Sequence, residues 1–386
     1  MHTTEKHSGC DIKSILAQKA LDGPSDFWRQ KLENVSAHDV ERALASTPGS
    51  YSIEKLLALI SQPAQYYLEQ MAQLSHQLTI KRFGRTIKLF APLYLSNYCV
   101  NSCRYCGFNK ENKFQRTRLT IDQALADADT IAAEGFRDIL LVSSEDKNFI
   151  NMDYLANLAK KLKAKFSSVS MEIFALTAAE YAQLFHAGID GVTMFQETYN
   201  RQAFEKFHPA GPKSDFDNRL DTFDRVASAG MRELGLGVLL GLNDWRLETL
   251  ALAEHAHYLI KHYWQSRVSF SFPRMRPAFD VDNFKYDLLT DRSLVQMILA
   301  LRLCFADAGI VISTREPAAL RDRLIKLGVT KISAGSKTNP GGYTTCTDAV
   351  GQFEVDDSRT PAQIAAMVKQ NGYDPVWKDW DSAFAD

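Results

Sequence analysis

From residue 88 to residue 334, short β-branched or aliphatic runs alternate with amphipathic stretches of helical length. That rhythm constrains the fold more than any other feature of the sequence, because alternating strands and helices pack as α/β layers around a parallel sheet. Strands are expected near 88–96, 137–143, 168–174, 189–196, 231–240, 267–272, 310–313 and 330–334. Helices are expected near 120–134, 151–166, 177–187, 216–229, 243–262, 289–308 and 316–327. Gly135, Gly188, Gly230, Gly309 and Gly328 follow five of these helices, and each is expected to stop its helix in the left-handed conformation that glycine adopts most cheaply. Eight such strands suggest a closed parallel (β/α)8 barrel of the TIM type. A doubly wound open sheet remains the alternative, since periodicity does not show closure.

Three segments follow from this pattern. Residues 1–85 read as a helical extension, with helical apolar spacing in Ala37–Leu44, Ser52–Ile60 and Tyr66–Ile80. Residues 86–335 form the barrel. Residues 336–386 contain a Gly/Pro/Thr-rich loop, one short helix near 361–370 and an aromatic tail, Trp377–Trp380, expected to lie on the barrel as a strap that buries both tryptophans.

A chain of 386 residues buries roughly three quarters of its unfolded surface, so its core needs no covalent staple. The 45 basic and 46 acidic residues argue against nucleic-acid binding as the dominant function. No apolar run approaches the ~18 residues of a membrane span. Met1–Cys10 has no apolar leader core, so a cytoplasmic enzyme is expected. The six cysteines are too sparse for a disulfide scaffold.

Three of them, Cys99, Cys103 and Cys106, form a C-x3-C-x2-C triplet just after the first expected strand, where barrels build their active sites. Three thiolates on one tight loop suit one face of a [4Fe–4S] cluster and leave its fourth iron open. Zinc is the competing metal, but a structural zinc site wants a fourth protein ligand close by, and the next histidine is His186. Cys304 lies in an apolar helix and reads as core, and Cys10 and Cys346 have no assigned role.

The triplet with Tyr105 before its third cysteine, following a barrel strand, resembles the radical S-adenosylmethionine (SAM) enzymes. The resemblance implies that Cys99, Cys103 and Cys106 ligate a [4Fe–4S] cluster, that SAM chelates the open iron, and that Tyr105 lies near the adenine. Ser143-Ser144-Glu145 stands where the family carries a Gly-Gly-Glu-like turn for the methionine amine, with serines replacing the glycines. Ser170-Met171-Glu172 ends the third strand, where Glu172 could meet the SAM ribose or amine, or pair with a helix arginine. Gly235–Gly241 resembles the family's glycine-bearing strand that approaches adenine at Gly237, although barrel glycines also relieve packing. Gln196 and Glu197 end the fourth strand and are expected to face the pocket.

Segments Pro92–Phe108, Phe195–Tyr199, Tyr263–Pro277, Ser313–Glu316, Pro340–Tyr343 and Val376–Ser382 narrow the resemblance to the aromatic-amino-acid lyases, and within them to the 2-iminoacetate synthases, from about residue 25 onward. It implies Cα–Cβ cleavage of L-tyrosine to 2-iminoacetate and p-cresol, a thiazole synthase partner that takes the product, and a flavodoxin- or ferredoxin-type reductant. The family's carboxylate-gripping arginine maps to Arg315, its tyrosine ahead of the cluster loop to Tyr94, and its last-strand serine to Ser333, with Ser336 also eligible. Arg315 suits that task physically, because a guanidinium grips a carboxylate bidentately. The structural alternatives are an ion pair of Arg315 with Glu316 or Asp322 and a barrel-filling role for Tyr94. Arg274 and Arg276 are either anion-binding or solvated, and His208 is expected to be an exposed loop histidine. A hydrogenase-maturing tyrosine lyase would carry a further cysteine motif, whereas only Cys346 follows Cys304 here; a tryptophan lyase is the other relative.

Overall fold

The computed structural model describes residues 11–281, 289–344 and 348–379. Eight parallel strands close into a barrel: β1 (Thr86–Ser96), β2 (Asp138–Ser143), β3 (Ser168–Glu172), β4 (Gly191–Glu197), β5 (Glu233–Val238), β6 (Arg267–Ser271), β7 (Gly309–Ile312) and β8 (Lys331–Ser333). Closure is made by β1, which pairs with β2 through Ala91–Ser96 and with β8 through Lys88–Phe90. The open-sheet alternative is thereby excluded. A ninth strand, β9 (Asp374–Val376), pairs with Thr86–Lys88 of β1 at the N-terminal rim. Its three residues carry too little pattern to be legible beforehand.

Helices α1 to α5 (Ile12–Gln18, Asp26–Glu33, Ala37–Ala45, Ile53–Ile60 and Leu68–Phe83) precede the barrel. Around it run α6 (Ile121–Ala133), α7 (Met152–Leu162), α8 (Ala178–Ala187), α9 (Arg201–Phe207), α10 (Phe216–Leu220), α11 (Thr222–Ser228), α12 (Trp245–His262), α13 (Asp291–Cys304) and α14 (Ala318–Leu324), and α15 (Pro361–Gln370) follows β8. The starts are written locally: Thr120, Thr177 and Thr360 each form a capping box with Gln123, Glu180 or Gln363 three residues on. The single helix expected over 216–229 is divided at Asp221, and α9 occupies a stretch with no expected element. No helix among the described residues is long and apolar enough to cross a membrane.

Four of the five expected stop glycines, Gly135, Gly188, Gly230 and Gly328, have φ between 90° and 112°. Gly309 does not. It is the first residue of β7, where a Cβ would come within 2.9 Å of the Ser269 side chain on β6, so its smallness serves strand packing. The end of α13 is satisfied instead by buried Arg302, whose guanidinium donates to the carbonyls of Phe305, Ala306, Ala308 and Gly328.

Behind β8 the chain is pinned by a buried ion pair. Arg321 on α14 and Asp357 have fully buried side chains, and Arg321 also donates to the Ser333 carbonyl. Trp377 packs edge-on against Phe136 with ring centroids 5.1 Å apart, while Trp380 lies outside the described residues, as do Cys10 and Cys346. Replacing Asp357 with alanine strands a buried cation, and breaking such a pair costs about 3–5 kcal/mol. Asp357→Ala should therefore lower the unfolding free energy, read by denaturant titration, by that much, whereas Asp356→Ala, on a partly exposed ion pair with Arg276, should change it by less than about 1 kcal/mol.

Candidate active site

A cavity of about 960 Å3, counting its open mouth, runs from the barrel lumen to the C-terminal ends of the strands. Tyr94, Glu172, Arg315, Ser333 and Ser336 all line it. Beside it lies the cysteine loop, which follows β1 directly. Cys99, Cys103 and Cys106 are unbridged thiols, and Cys99 is near enough to both of the others to raise their pKa. Burial is the larger cause and pushes Cys103 up to about 12 and Cys106 to about 11. Thiols in such surroundings become thiolates only when a cation compensates the charge.

The loop is tied on every side. Arg116 donates to the carbonyls of Asn97, Phe108, Asn109 and Asn112. Within the triplet, the Asn101 amide donates to Glu145 Oε2 at 2.9 Å and reaches Cys99 Sγ at 3.7 Å, and its Oδ1 accepts from the Lys213 N–H. Opposite, Gly211 has φ 96°, and a Cβ there would lie 2.7 Å from the Asn101 Cα, so this close approach requires glycine. The N–H groups of Ser102 and Arg104 donate to the carbonyls of Ala210 and Phe207.

Two departures in the sequence acquire physical reasons here. Ser143 and Ser144 keep negative φ, so their turn needs no glycine. The Ser144 hydroxyl instead donates to the Ser96 and Tyr98 carbonyls at the entrance to the cysteine loop. His208 is 1% exposed, contrary to the expected solvent-facing histidine. Its Nδ1 lies 2.8 Å from the Phe204 carbonyl, which fixes Nε2 as the acceptor for the Tyr105 hydroxyl, also at 2.8 Å. Burial and neighbouring Lys213 hold the ring neutral, with its pKa lowered to about 3.

The end of β4 is irregular. Its register to β5 skips from Phe195–Gly237 to Glu197–Val238, a bulge centred on Gln196. Gln196 is thereby turned toward α10, where its amide donates to the Phe216 carbonyl at 3.4 Å, and it does not line the cavity. Glu197 takes the left-handed conformation at φ 70° and meets Lys213 Nζ at 2.6 Å and Arg219 at 3.7 Å. Burial alone would raise its pKa, but the two cations hold it below the usual carboxylate value. Strain of this kind in a non-glycine residue commonly marks a functional site. Gly237 makes room for the Phe195 ring, which a Cβ would overlap at 2.3 Å, and Gly235 is the β5 glycine that borders the cavity.

Arg315 stands over the Phe353 ring, 3.4 Å from its centroid, and its guanidinium has no ion pair among the described residues. Both acids that could have neutralised it are engaged elsewhere: Glu316 pairs with Arg274 and Arg276, and Asp322 with Arg359. Arg274 and Arg276 are therefore structural ion-pair partners rather than open anion sites. Tyr94 is buried, yet it lines the cavity and donates its hydroxyl to Gln352 Oε1 at 2.8 Å. The Ser333 hydroxyl accepts from the Thr314 N–H at 3.1 Å, whereas the buried Ser336 hydroxyl has no partner among the described residues. Arg116, Lys213, Gln352 and Phe353 escaped the sequence analysis, because no local pattern connects them to residues they meet only in the fold.

Comparison with known proteins adds a second line of evidence. Residues 93–253 match the radical SAM superfamily, and residues 271–374 match the Biotin and Thiamin Synthesis associated domain. The chain is 42% identical to 2-iminoacetate synthase of Escherichia coli (strain K12) over 93% of its own length and 97% of that protein's. It belongs to the 2-iminoacetate synthase family of radical SAM enzymes. The Salmonella typhimurium 2-iminoacetate synthase is 41% identical over the same shares of the two chains. A crystal structure of HydG, a maturase of the [FeFe]-hydrogenase, superposes with a TM-score of 0.86 at 31% identity, over 94% of this chain and 84% of that one. The architecture around the cavity is thus that of radical SAM enzymes.

Glu172 provides a test of the cavity's electrostatics. Burial, reinforced by Glu197 and opposed by Arg315, raises its pKa from 4.5 to about 7. Between these values the folded chain retains a proton that the unfolded chain has released, so this contribution favours folding at low pH and is lost as pH rises to about 7. The ligand-free protein should lose thermal stability across that window relative to Glu172→Gln. Parallel melting-temperature profiles for the two proteins would refute this environment for Glu172.

Proposed function

We infer that this protein is a carbon–carbon lyase that cleaves the Cα–Cβ bond of L-tyrosine to 2-iminoacetate and p-cresol, and so supplies the thiazole moiety of thiamine. The observation that carries the inference is Arg315: a permanently charged guanidinium, held in the barrel mouth beside the cysteine loop, without a carboxylate partner among the described residues. An amino-acid carboxylate supplies the missing partner in the planar, two-pronged geometry that a guanidinium offers. Its position at the ends of β7 and β8 then leaves the substrate amine facing Tyr94 and Glu172.

Cys99, Cys103 and Cys106 would hold a [4Fe–4S] cluster, and the donor set fits one: three thiols, Cys103 buried and Cys99 and Cys106 half-buried, on a tightly tethered loop. Among the described residues no three His, Cys, Asp or Glu side chains close on a single ion, and a polynuclear cluster spreads its ligands over several irons. With SAM bound, a reduced cluster would supply the electron that cleaves SAM and so the radical chemistry that Cα–Cβ scission needs. The protein's own residues bind and orient. We assign Glu145, on the turn after β2, to the methionine amine of SAM, and Tyr105, bonded to His208, to the adenine. Ser144 holds that turn against the cysteine loop. The remaining SAM contacts are assigned to Glu172, Gln196 and the backbone at Gly237. Phe90, Val142, Phe195 and Phe353 furnish apolar walls that keep water and stray hydrogen donors from a radical.

2-Iminoacetate hydrolyses readily, which supports direct delivery to a thiazole synthase partner. The chemistry also calls for a flavodoxin- or ferredoxin-type reductant, and a low-potential cluster suits the reducing cytoplasm. The test is an anaerobic assay of the reconstituted protein with SAM, a strong reductant and either tyrosine or tryptophan. Deoxyadenosine with p-cresol and glyoxylate from tyrosine is expected; deoxyadenosine without p-cresol would reject tyrosine cleavage. Cys106→Ala should lose the iron and sulfide, about four of each, that the intact protein binds. Arg315→Lys, which exchanges a fork for a point charge, should raise KM for tyrosine by roughly 10- to 100-fold at unchanged iron content.

A further inference from the structure

The side chains of both cavity residues that would grip the substrate meet one short stretch of irregular chain after β8. Tyr94 donates to Gln352 Oε1 at 2.8 Å, and Arg315 lies 3.4 Å above the ring centroid of the adjacent Phe353. Gln352 and Phe353 both line the cavity.

The same stretch is bonded to the cysteine loop. The Gly107 N–H, next after Cys106, donates to the Gln352 carbonyl at 3.2 Å, and a Cβ on Gly107 would meet the Gly351 and Gln352 carbonyl oxygens at 2.9 and 3.0 Å. Two further contacts hold the stretch to the loop after β8: the Gln352 N–H donates to the Thr338 carbonyl at 3.0 Å, and the Thr338 hydroxyl donates to the Phe353 carbonyl at 3.1 Å. On its far side the Glu354 N–H donates to the Pro277 carbonyl after β6 at 3.0 Å. The segment therefore bridges the cysteine loop, the β6 loop and the β8 loop across the barrel mouth.

We propose that Gln352 and Phe353 are positioning residues that set the pose of the amino-acid substrate relative to the cysteine loop. The proposal rests on the lyase function inferred above. Gln352 commits the Tyr94 hydroxyl proton, so the phenol oxygen meets a substrate amine as an acceptor. Phe353 covers one face of the Arg315 guanidinium, which leaves the N–H edges to the carboxylate and replaces the missing counter-ion with an aromatic face. Because Gly107 is bonded to the same backbone, a shift of either grip is a shift relative to Cys106. A misplaced substrate lets SAM cleavage proceed without productive hydrogen transfer.

The experiment compares reconstituted wild type with Phe353→Leu, Phe353→Tyr, Gln352→Ala, Tyr94→Phe and the Tyr94→Phe/Gln352→Ala double variant. Iron content and melting temperature check that each is intact, and KM for tyrosine and the ratio of deoxyadenosine to p-cresol are measured at saturating SAM. Loss of the aromatic face in Phe353→Leu should raise KM by roughly tenfold and raise the ratio, and Phe353→Tyr should restore both. Gln352→Ala should raise KM and the ratio several-fold in the wild-type background and add nothing in the Tyr94→Phe background. Unchanged KM and ratio in Phe353→Leu and Gln352→Ala, or a Gln352→Ala effect that persists undiminished without the Tyr94 hydroxyl, would overturn the proposal while tyrosine cleavage stands. An intact wild type that forms no p-cresol would overturn the lyase function and this proposal together.

Discussion

Strand β1 carries a double obligation. Its eleven residues pair with β8 in their first half and with β2 in their second, so the barrel exists only where both ladders are satisfied. The same strand ends three residues before Cys99. Closure of the barrel and delivery of the cysteine loop are therefore one event: the inward side of β1 brings Tyr94 into the cavity, and its C-terminal end releases the loop on the face where the other strands also end. Parallel pairing enforces this, since every strand then contributes its C-terminal residues to one rim.

At that rim the charges are arranged around an unfilled place. Glu197 is satisfied by Lys213 and Arg219, Glu316 by Arg274, and Asp357 by Arg321 and Arg359. Glu172 and Arg315 are left facing the cavity, where burial pushes the pKa of the first up and that of the second down. Glu172 is thus held against its charged form, while Arg315 keeps its charge at a cost in desolvation, until a ligand of complementary charge arrives. An α-amino acid brings both signs at once, an ammonium and a carboxylate, which is the economy of this site.

Much of the site was legible because its chemistry is written locally. Three thiols on one loop, a glutamate at the end of a strand and an arginine beyond another are visible in short windows, and the structure brings Tyr94, Glu172, Arg315 and Ser333 to one cavity. The failures share a cause. The partners of Gln196 and Glu197 were illegible until the bulge in β4 sent one to the Phe216 carbonyl and the other to Lys213. Gly309 looked like a helix stop because a glycine before a strand reads the same whether it caps a helix or yields space to Ser269. His208 looked exposed because its loop is polar, yet that loop is clamped against Asn101 by the close approach at Gly211.

By itself the sequence determined the order of strands and helices, the helix starts and the cysteine loop, because these depend on hydrophobic period, capping side chains and spacing within a few residues. Tertiary structure alone decided that the sheet closes, that β9 joins its rim, that Arg315 keeps no acidic partner among the described residues, and that Gln352 and Phe353 stand behind Tyr94 and Arg315. The last two contacts join residues 258 and 38 positions apart. No local propensity encodes such pairs; they form when packing the barrel leaves each group one way to satisfy its charge or hydrogen bond.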